Sequence, residues 1–324
     1  MKMLKMKNNL LLIAPAALLS FGLLLTSCNK DDDNNDSGGS GSAATTIKVT
    51  DAPFDDANVT GAFVTISEIK VDGQTVQGFT KTTVDLAAYQ NGSTKTLGTF
   101  NLDAKNYSNI TFVLDFDTDA SGNAPGSYVL TTGNVKHKLT TTSNVITVTK
   151  NYALQAGASN SLVADFDLRK MIVAQSGGGA DQYDFATAAE LQNSVRVVSE
   201  SNASTISGTL TDGVSGSAKV VAYAYKKGTF NRATEMSGQG ASNIQFSNAV
   251  SSTVVSGGNY QLHFLESGDY EVHFASYKDA NADGKLELVG TLVVLTSGEI
   301  NILNLQLGLN ATLTLNATAT AVLP

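Results

Sequence analysis

The sequence predicts an all-β fold in which two β-sandwiches follow one another behind an apolar N-terminal signal and a polar tether. From Thr46 onward, apolar residues recur at every second position between clusters of Gly, Asn, Asp and Ser, the period of strands with one face buried. Composition agrees: 15% of residues are charged, Trp is absent, and Thr, Ser, Val, Gly and Asn abound. Length is the third observation. About 280 residues remain after the tether, more than one sandwich usually needs, and the polar stretch "SESNAST" at 199–205 offers a boundary. The first sandwich is therefore assigned to residues 46–199 and the second to 203–324, each long enough for its own core.

At the N-terminus, Lys2, Lys5 and Lys7 precede the apolar run Leu10–Leu25, the layout of a secretory signal. Pro15, Ser20 and Gly22 interrupt the run, which is shorter than the roughly 20 apolar residues a membrane-spanning helix needs. Leu25-Thr26-Ser27-Cys28 resembles the bacterial lipobox, in which cleavage precedes the cysteine and its thiol is made a diacylglyceryl thioether. Residues 1–27 are thus expected to be a lipoprotein signal peptide and Cys28 the lipidated residue, with palmitate-type chains as the membrane anchor. Each buried methylene contributes about 0.8 kcal/mol to such anchoring.

Residues 28–45, including "NKDDDNNDSGGSGS", are expected to be a lipidated, acidic, flexible tether, because so polar a composition cannot bury enough surface to fold. Lys30-Asp31-Asp32-Asp33 also resembles the export signal that sends lipoproteins of Bacteroidetes-type bacteria to the outer face of the outer membrane; a solvated charge run is the competing reading. The resemblance implies a lipid-anchored, surface-exposed protein of the bacterial outer membrane. Cys28 is the only cysteine, so no intramolecular disulfide can form. Removing residues 1–27, with three lysines and no acid, takes the formal charge from −8 to −11. No nucleic-acid partner is expected of so acidic a chain.

Within the first sandwich, Ile110, Phe112, Leu114 and Phe116 alternate with Thr111, Val113, Asp115 and Asp117, and Leu162, Ala164, Phe166 and Leu168 alternate with Val163, Asp165 and Asp167. In "AFVTISEIKV" the parity changes between Val64/Ile66 and Ile69/Val71, which predicts a β-bulge near Ser67. Short helices are expected only in places such as 86–89 and 186–192. "VTDAPFDDANVTGAFVTISEIKV", "VDLAAYQNG", "LGTFNLDAKNYSNITFVLDF", "LVADFDLRKMIV" and "VRVV" together resemble the domain of unknown function 4382 family, with Thr50-Asp51-Ala52-Pro53 the most specific piece. The resemblance implies an immunoglobulin-like or transthyretin-like sandwich in an envelope lipoprotein, and no activity.

The second sandwich opens with "ISGTLTD" and continues through "YQLHFLESGDYEVHFASY", which resembles a carboxypeptidase-regulatory-like, transthyretin-like domain. Residues 229–256 have no clear counterpart in that family, and "LVVL", "INILNLQLGL" and "ATLTLNATATAVL" read as three further strands. The stretch 311–323 alternates well enough to serve as a donated or edge strand.

Few constellations suggest chemistry. In "DANADGKLE", Asp279, Asn281 and Asp283 supply alternating oxygens, Gly284 the bend, the Lys285 carbonyl a fourth oxygen and Glu287 the ninth position, a pattern that reads as a structural calcium loop. An Asx-rich hairpin turn is the competing reading. "DTDASGN", with Asp117, Asp119 and Ser121, reads as a turn without an ion. His263 and His273 fall on outer faces and would share a metal only if their strands paired across a hairpin, with no third ligand evident; His137 reads as a solvated strand residue. The pairs Asp115/Asp117 and Asp165/Asp167 invite a glycosidase reading, but they read better as solvated strand faces.

No nucleophile elbow, zinc-protease motif, phosphate loop or nucleotide fingerprint is present in the sequence, and no enzyme is expected. The expected role is a non-catalytic surface lipoprotein that binds glycan or protein, with Tyr152, Tyr183 and Tyr260 as aromatic candidates. The alternative is a structural, adhesive, fimbrial-type subunit, against which stands the absence of arginine between Cys28 and Thr46 for a processing protease.

Overall fold

The computed structural model describes residues 41–52, 56, 58–174, 183–280, 286–298 and 300–324. The expected signal peptide, Cys28 and all but the last residues of the expected tether lie outside the described residues, as do Pro53 and the loop positions Asn281, Asp283 and Lys285. Among the described residues, no helix is long and apolar enough to cross a membrane.

The first half is built from β1 (Ser42–Ala52), β2 (Val59–Val71), β3 (Gln74–Thr75), β4 (Thr82–Asp85), β5 (Lys95–Asp103), β6 (Asn106–Asp115), β7 (Tyr128–Thr131), β8 (Val135–Lys138), β9 (Val145–Ala153) and β10 (Asn160–Asp167). A helical turn α1 (Leu168–Met171), the hairpin of β11 (Ile172–Ala174) and β12 (Tyr183–Phe185), a second turn α2 (Ala188–Leu191) and β13 (Val195–Ser199) complete it. One sheet has the order β13-β10-β1-β5; the other runs β8-β7-β2-β6-β9, with β3 and β4 also paired to β2. Their apolar faces meet in one core, where Phe112 of β6 lies edge-on to Phe166 of β10 at 5.3 Å. This is a β-sandwich.

The parity change in β2 is resolved as expected. Its register against β6 shifts between Ile66 and Glu68, so that Val64, Ile66, Ile69 and Val71 all reach the core. Short helical turns fall at Leu86–Ala88 and at α2, the latter closed by a capping box between Thr187 and Glu190. One boundary differs: β1 begins at Ser42, inside the stretch that composition assigns to the tether. Ala43 and Thr45 are fully buried there because β5 flanks them on one side and β10 begins opposite Thr45 on the other. Small residues carry little hydrophobic signal, so a strand made of them reads as linker.

The second half comprises β14 (Ser204–Asp212), β15 (Lys219–Lys226), α3 (Arg232–Ser237), β16 (Ser251–Val254), β17 (Asn259–Leu265), β18 (Gly268–Lys278), β19 (Glu287–Thr296), β20 (Leu305–Leu307), β21 (Thr312–Thr314) and β22 (Ala317–Leu323). Its sheet order is β16-β15-β18-β19-β22-β14-β17, with β20 on β18 and β21 on β14. The sheet rolls over its own core, bringing Tyr260 of β17 edge-on to Phe274 of β18 at 5.2 Å.

Strand β15 reads "KVVAYAYK", a near-continuous apolar run, and it is buried on both faces. Val220, Ala222 and Ala224 enter the rolled core, while Val221, Tyr223 and Tyr225 form a second cluster with Phe246, Ala249, Ala275 and Tyr277. The segment 227–250 covers that cluster, which accounts for the stretch without a family counterpart. Phe246 stacks on Tyr223 at 4.3 Å, and Glu235 of α3, fully buried, accepts the Tyr225 hydroxyl at 2.9 Å.

The expectation of a donated or edge strand at 311–323 fails for β22, while β21 has β14 as its one partner among the described strands. β22 lies inside the sheet, parallel to β14 on one side and antiparallel to β19 on the other, while β21 runs parallel to β14. Alternation shows that one face is buried; it carries no information about how many neighbours the backbone has. Close approach of this segment also explains Gly208, where a Cβ would collide with the Leu315 backbone.

Candidate functional site

Residues Ser40–Pro324 form one compact unit, and the two halves meet along a polar seam. Parallel pairing of β1 with β10 sets Thr50 opposite Asp165 and Ala52 opposite Asp167, which brings Asp51 and the two β10 aspartates together. The Asp165 and Asp167 side chains turn away from the first core and are covered by the second half, whereas Asp51, opposite Phe166, has the core-facing parity of Ile47 and Val49. The expectation that Asp165 and Asp167 are solvated is therefore wrong: their side chains are 8% and 11% exposed.

Arg196 Nη2 donates to Asp165 Oδ2 at 2.5 Å and to the His263 carbonyl at 3.2 Å, and Nη1 donates to the Phe264 carbonyl, so one guanidinium binds β10 to β17. Arg169 Nη2 reaches Asp167 Oδ2 at 2.6 Å; Lys170 Nζ lies 3.5 Å from the same oxygen and donates to the Ala249 carbonyl at 2.6 Å. Asp51 Oδ1 accepts the Leu168 N–H at 3.1 Å. Burial pushes the Asp51 and Asp165 carboxyls above the usual carboxylate range, with Arg196 opposing the shift at Asp165, and burial pushes the Lys170 ammonium down.

Further bonds extend the seam. Lys150 pairs with Glu266 at 2.5 Å, and the Thr253 hydroxyl donates to Asn91 Oδ1 at 2.9 Å. Glu190 accepts the Ser242 N–H at 3.0 Å and its hydroxyl at 2.5 Å. Burial opposes ionisation of Glu190, yet the donors from Ser242 and Thr187 hold its carboxyl at about 2.

Two adjoining cavities open along this junction, and a third adjoins them on the first half alone. One of ≈ 320 Å³ is lined by Asp56, Arg169, Tyr223, Asn243, Gln245 and Tyr277 among others. It shares Val173, Ala174, Ser242 and Asn243 with a second of ≈ 640 Å³, bordered by Asp184 and Thr140 to Thr142. The same threonines border a third, of ≈ 490 Å³, that runs on past Asp115, Asp117, Lys138 and Asn144. The hairpin of β11 and β12 supplies one wall. Tyr183 donates to Asp56 Oδ2 at 2.8 Å, the Tyr223 and Tyr277 hydroxyls lie 2.7 Å apart, and the Arg169 guanidinium sits 5.0 Å above the Tyr223 ring. The result is a long groove of hydroxyls, amides and carboxylates, suited to hydrogen-bonding an extended polar ligand.

The residues singled out in sequence fare unequally. Asp279 and Glu287 sit at the two ends of the β18–β19 connection, where Lys278 pairs with Glu287 and Glu287 Oε2 accepts the Ala280 N–H at 2.9 Å. Among the described residues, no three or more His, Cys, Asp and Glu side chains are grouped to hold a metal. Asp119 closes the expected turn, its Oδ1 accepting the Ser121 and Asn123 N–H groups at 2.8 Å each.

The two histidines do not meet across a hairpin, because β17 pairs with β14 whereas β18 pairs with β15, β19 and β20. His273 is not on a wet face: it stacks on Phe230 at 3.7 Å beneath the 227–250 cover, and burial lowers its pKa. His137 is half-buried rather than solvated, bonded to Thr131 at 3.1 Å with its ring edge-on to Tyr183. Tyr152, Tyr183 and Tyr260 are 7%, 4% and 2% exposed, so they cannot form a recognition platform. The sequence reading does not single out Arg169, Lys170 or Arg196; the basic pair one residue after Asp165-Phe166-Asp167 is the available signal.

No curated protein is similar to this chain in sequence. Among solved structures, a leucine-rich repeat protein from Bacteroides thetaiotaomicron VPI-5482 matches 86% of this chain and 26% of its own at 11% identity and a TM-score of 0.21, so the chain spans about a quarter of that protein's length. A streptococcal ancillary pilin matches 87% and 70% at 8% identity and a TM-score of 0.20. The fimbrial anchor protein Mfa2 from Porphyromonas gingivalis matches 86% and 91% at 11% identity and a TM-score of 0.18. Likenesses at these TM-scores carry no argument about function. From β1 to just beyond β12 the chain is similar to the domain of unknown function DUF4382, whose family model matches residues 42–186.

Proposed function

We propose that this protein is a non-catalytic, lipid-anchored lipoprotein of the bacterial outer membrane, displayed at the surface through Cys28, whose junction groove binds a glycan strand. The observation that carries the reading is the continuity of the groove: three cavities share lining residues and present Thr, Ser, Asn, Gln and Asp along their length. Saccharide hydroxyls are matched by such alternating donors and acceptors. The acid pairs support a non-catalytic role, since Lys81 and Arg196 already engage Asp115 and Asp165. The second half, which we read as carboxypeptidase-regulatory-like, contributes one wall through residues 242–245.

Titration of the full chain against a panel of polysaccharides tests this reading. Asn243→Ala and Thr141→Ala are each expected to weaken the bound member about tenfold, the loss of roughly one hydrogen bond of 1.4 kcal/mol. Binding of a protein ligand instead, sensitive to the same substitutions, would transfer the groove to protein recognition. Failure of both variants to alter any binding sinks the groove. The anchor is tested separately: Cys28→Ala is expected to release the protein from envelopes, and protease shaving of intact cells is expected to remove it.

For Asp279, Asn281, Asp283, the Lys285 carbonyl and Glu287 we infer a structural calcium site that closes the β18–β19 connection. EDTA is expected to lower the melting temperature of the chain, and Asp283→Ala to abolish that effect. An unchanged melt with chelator returns the loop to an ordinary Asx turn.

A further inference from the structure

Among the described strands that end the main sheets, β5 alone is left bare. At β9, Gln192 Oε1 takes the Thr147 N–H at 2.8 Å and its Nε2 donates to the Val145 carbonyl at 2.5 Å, while Lys150 Nζ crosses to the Val197 carbonyl of β13 at 2.8 Å. β8 is short and carries Lys136 and Lys138, charges of the kind that keep an edge from pairing with another chain. β16 and β17, the two ends of the second sheet, turn toward each other at the bridge between Ser256 and Asn259. β5 has β1 on one flank and no described strand on the other. Between Lys95 and Asp103 it reads "TLGTFNL", without a charge.

The hydrogen-bond phase of β5 tells which of its backbone groups face outward. The Gly41 carbonyl accepts the Ala104 N–H at 2.7 Å, and from there antiparallel pairs alternate between bonded and non-bonded. Leu102 and Phe100 therefore spend their backbone groups on β1, whereas Asp103, Asn101 and Thr99 turn theirs away from it. Side chains approach most closely in non-bonded pairs, and the Thr46 and Thr99 hydroxyls are accordingly 2.8 Å apart. The register shift between Ile47 and Lys48 interrupts this phase beyond Gly98, which confines the open ladder to residues 99–103. Thr99, Asn101 and Asp103 are exposed, while Phe100 is buried and Leu102 half-buried over the first core. The Asp103 carbonyl already accepts the Tyr107 hydroxyl at 3.1 Å, so at that position the N–H is the group left open.

We propose that this edge pairs with β5 of a second copy of the chain, antiparallel about a twofold axis at Asn101. The row is complementary to itself under that operation. Asn101 faces Asn101 of the second copy, an amide that donates and accepts at once, and on either side of the axis a Thr99 hydroxyl faces an Asp103 carboxylate. On the inner face, half-buried Leu102 comes to lie opposite Phe100 of the second copy, which carries the apolar face of the sheet across the joint. The two Asp103 carboxylates end roughly 14 Å apart, beyond the ~8 Å over which exposed charges act at physiological salt. A ladder this short buries less than a standard interface, so the dimer forms as concentration rises.

The test combines sedimentation equilibrium of the full chain in detergent with cross-linking at the axis. The native chain is expected to show a monomer–dimer equilibrium. Asn101→Lys, which sets ammonium against ammonium, and Asn101→Pro, which removes an outward N–H that β1 does not use, are each expected to abolish the dimer with little change in melting temperature. Facing residues of a bonded pair have Cα atoms about 5.5 Å apart, so Asn101→Cys is expected to give a covalent dimer with a short bis-maleimide. The native chain, with Cys28 as its only cysteine, and Thr209→Cys, on an exposed position of β14, set the background. If Asn101→Pro fails to fold, Asn101→Lys and the cross-link decide. A chain that stays monomeric at every concentration with cross-linking at background, or a dimer that Asn101→Lys leaves intact, overturns the proposal.

Discussion

The chain contains the motif Asp-Phe-Asp twice with opposite outcomes, at 115–117 where β6 ends and at 165–167 where β10 ends. At the first, Asp115 is 26% exposed, takes the Lys81 ammonium at 2.8 Å and caps the turn by accepting the Asp117 and Thr118 N–H groups; Asp117 is 84% exposed. Burial opposes ionisation of Asp115, but Lys81 and those two N–H groups hold its carboxyl at about 2. At the second, both carboxylates are shut into a seam with guanidinium partners, and burial raises the Asp165 pKa. The local sequence is the same and the strand periodicity is the same. What differs is whether another sheet lies over the polar face, a property of the whole fold.

Breaking the second site should cost most. Arg196→Ala strands a buried carboxylate and two backbone carbonyls at once, and is expected to destabilise by about 3–5 kcal/mol in urea melts. The central phenylalanines sharpen the contrast next. Phe166, fully buried against Phe112, is expected to lose about 3–5 kcal/mol on truncation to Ala. Phe116, half-buried beside Phe185 at 5.4 Å, should lose clearly less. Equal losses would show that the first motif is as central as the second.

A smaller effect is expected from pH at the seam. The folded-state pKa of Glu190 is depressed below its usual 4.5, so its contribution is present above pH 4.5 and is lost as pH falls through about 2. Glu190→Gln should flatten the melting temperature across that window. Smallest of all is Lys81→Ala at the first motif, worth less than about 1 kcal/mol because the ion pair is partly solvated. A large loss there would mean that water does not weaken the pair.

Much of the fold was legible because it depends on local period. The bulge at Ser67 follows from a parity change inside one strand, and the short helices at Leu86 and Ala188 from breaks in alternation. The candidate site was mostly illegible. Period-two alternation marks Asp165, His273 and Tyr152 as facing away from their neighbours, but it cannot say whether the opposite side meets water or a second layer. The 227–250 cover and the seam supply that layer from residues far away in sequence. The start of β1 was hidden for the converse reason, since Ala43 and Thr45 are buried without being strongly apolar.

The position of β22 has a consequence for how the second half comes together. Leu210 of β14 pairs with Ala317, more than a hundred positions downstream, and β19 takes the same strand on its other flank. Until those seven residues arrive, two backbone ladders stay open, and closing them requires a slow, long-range search. A nicked or truncated product would expose both ladders to any neighbouring chain, the circumstance in which β proteins adhere to one another in unintended ways.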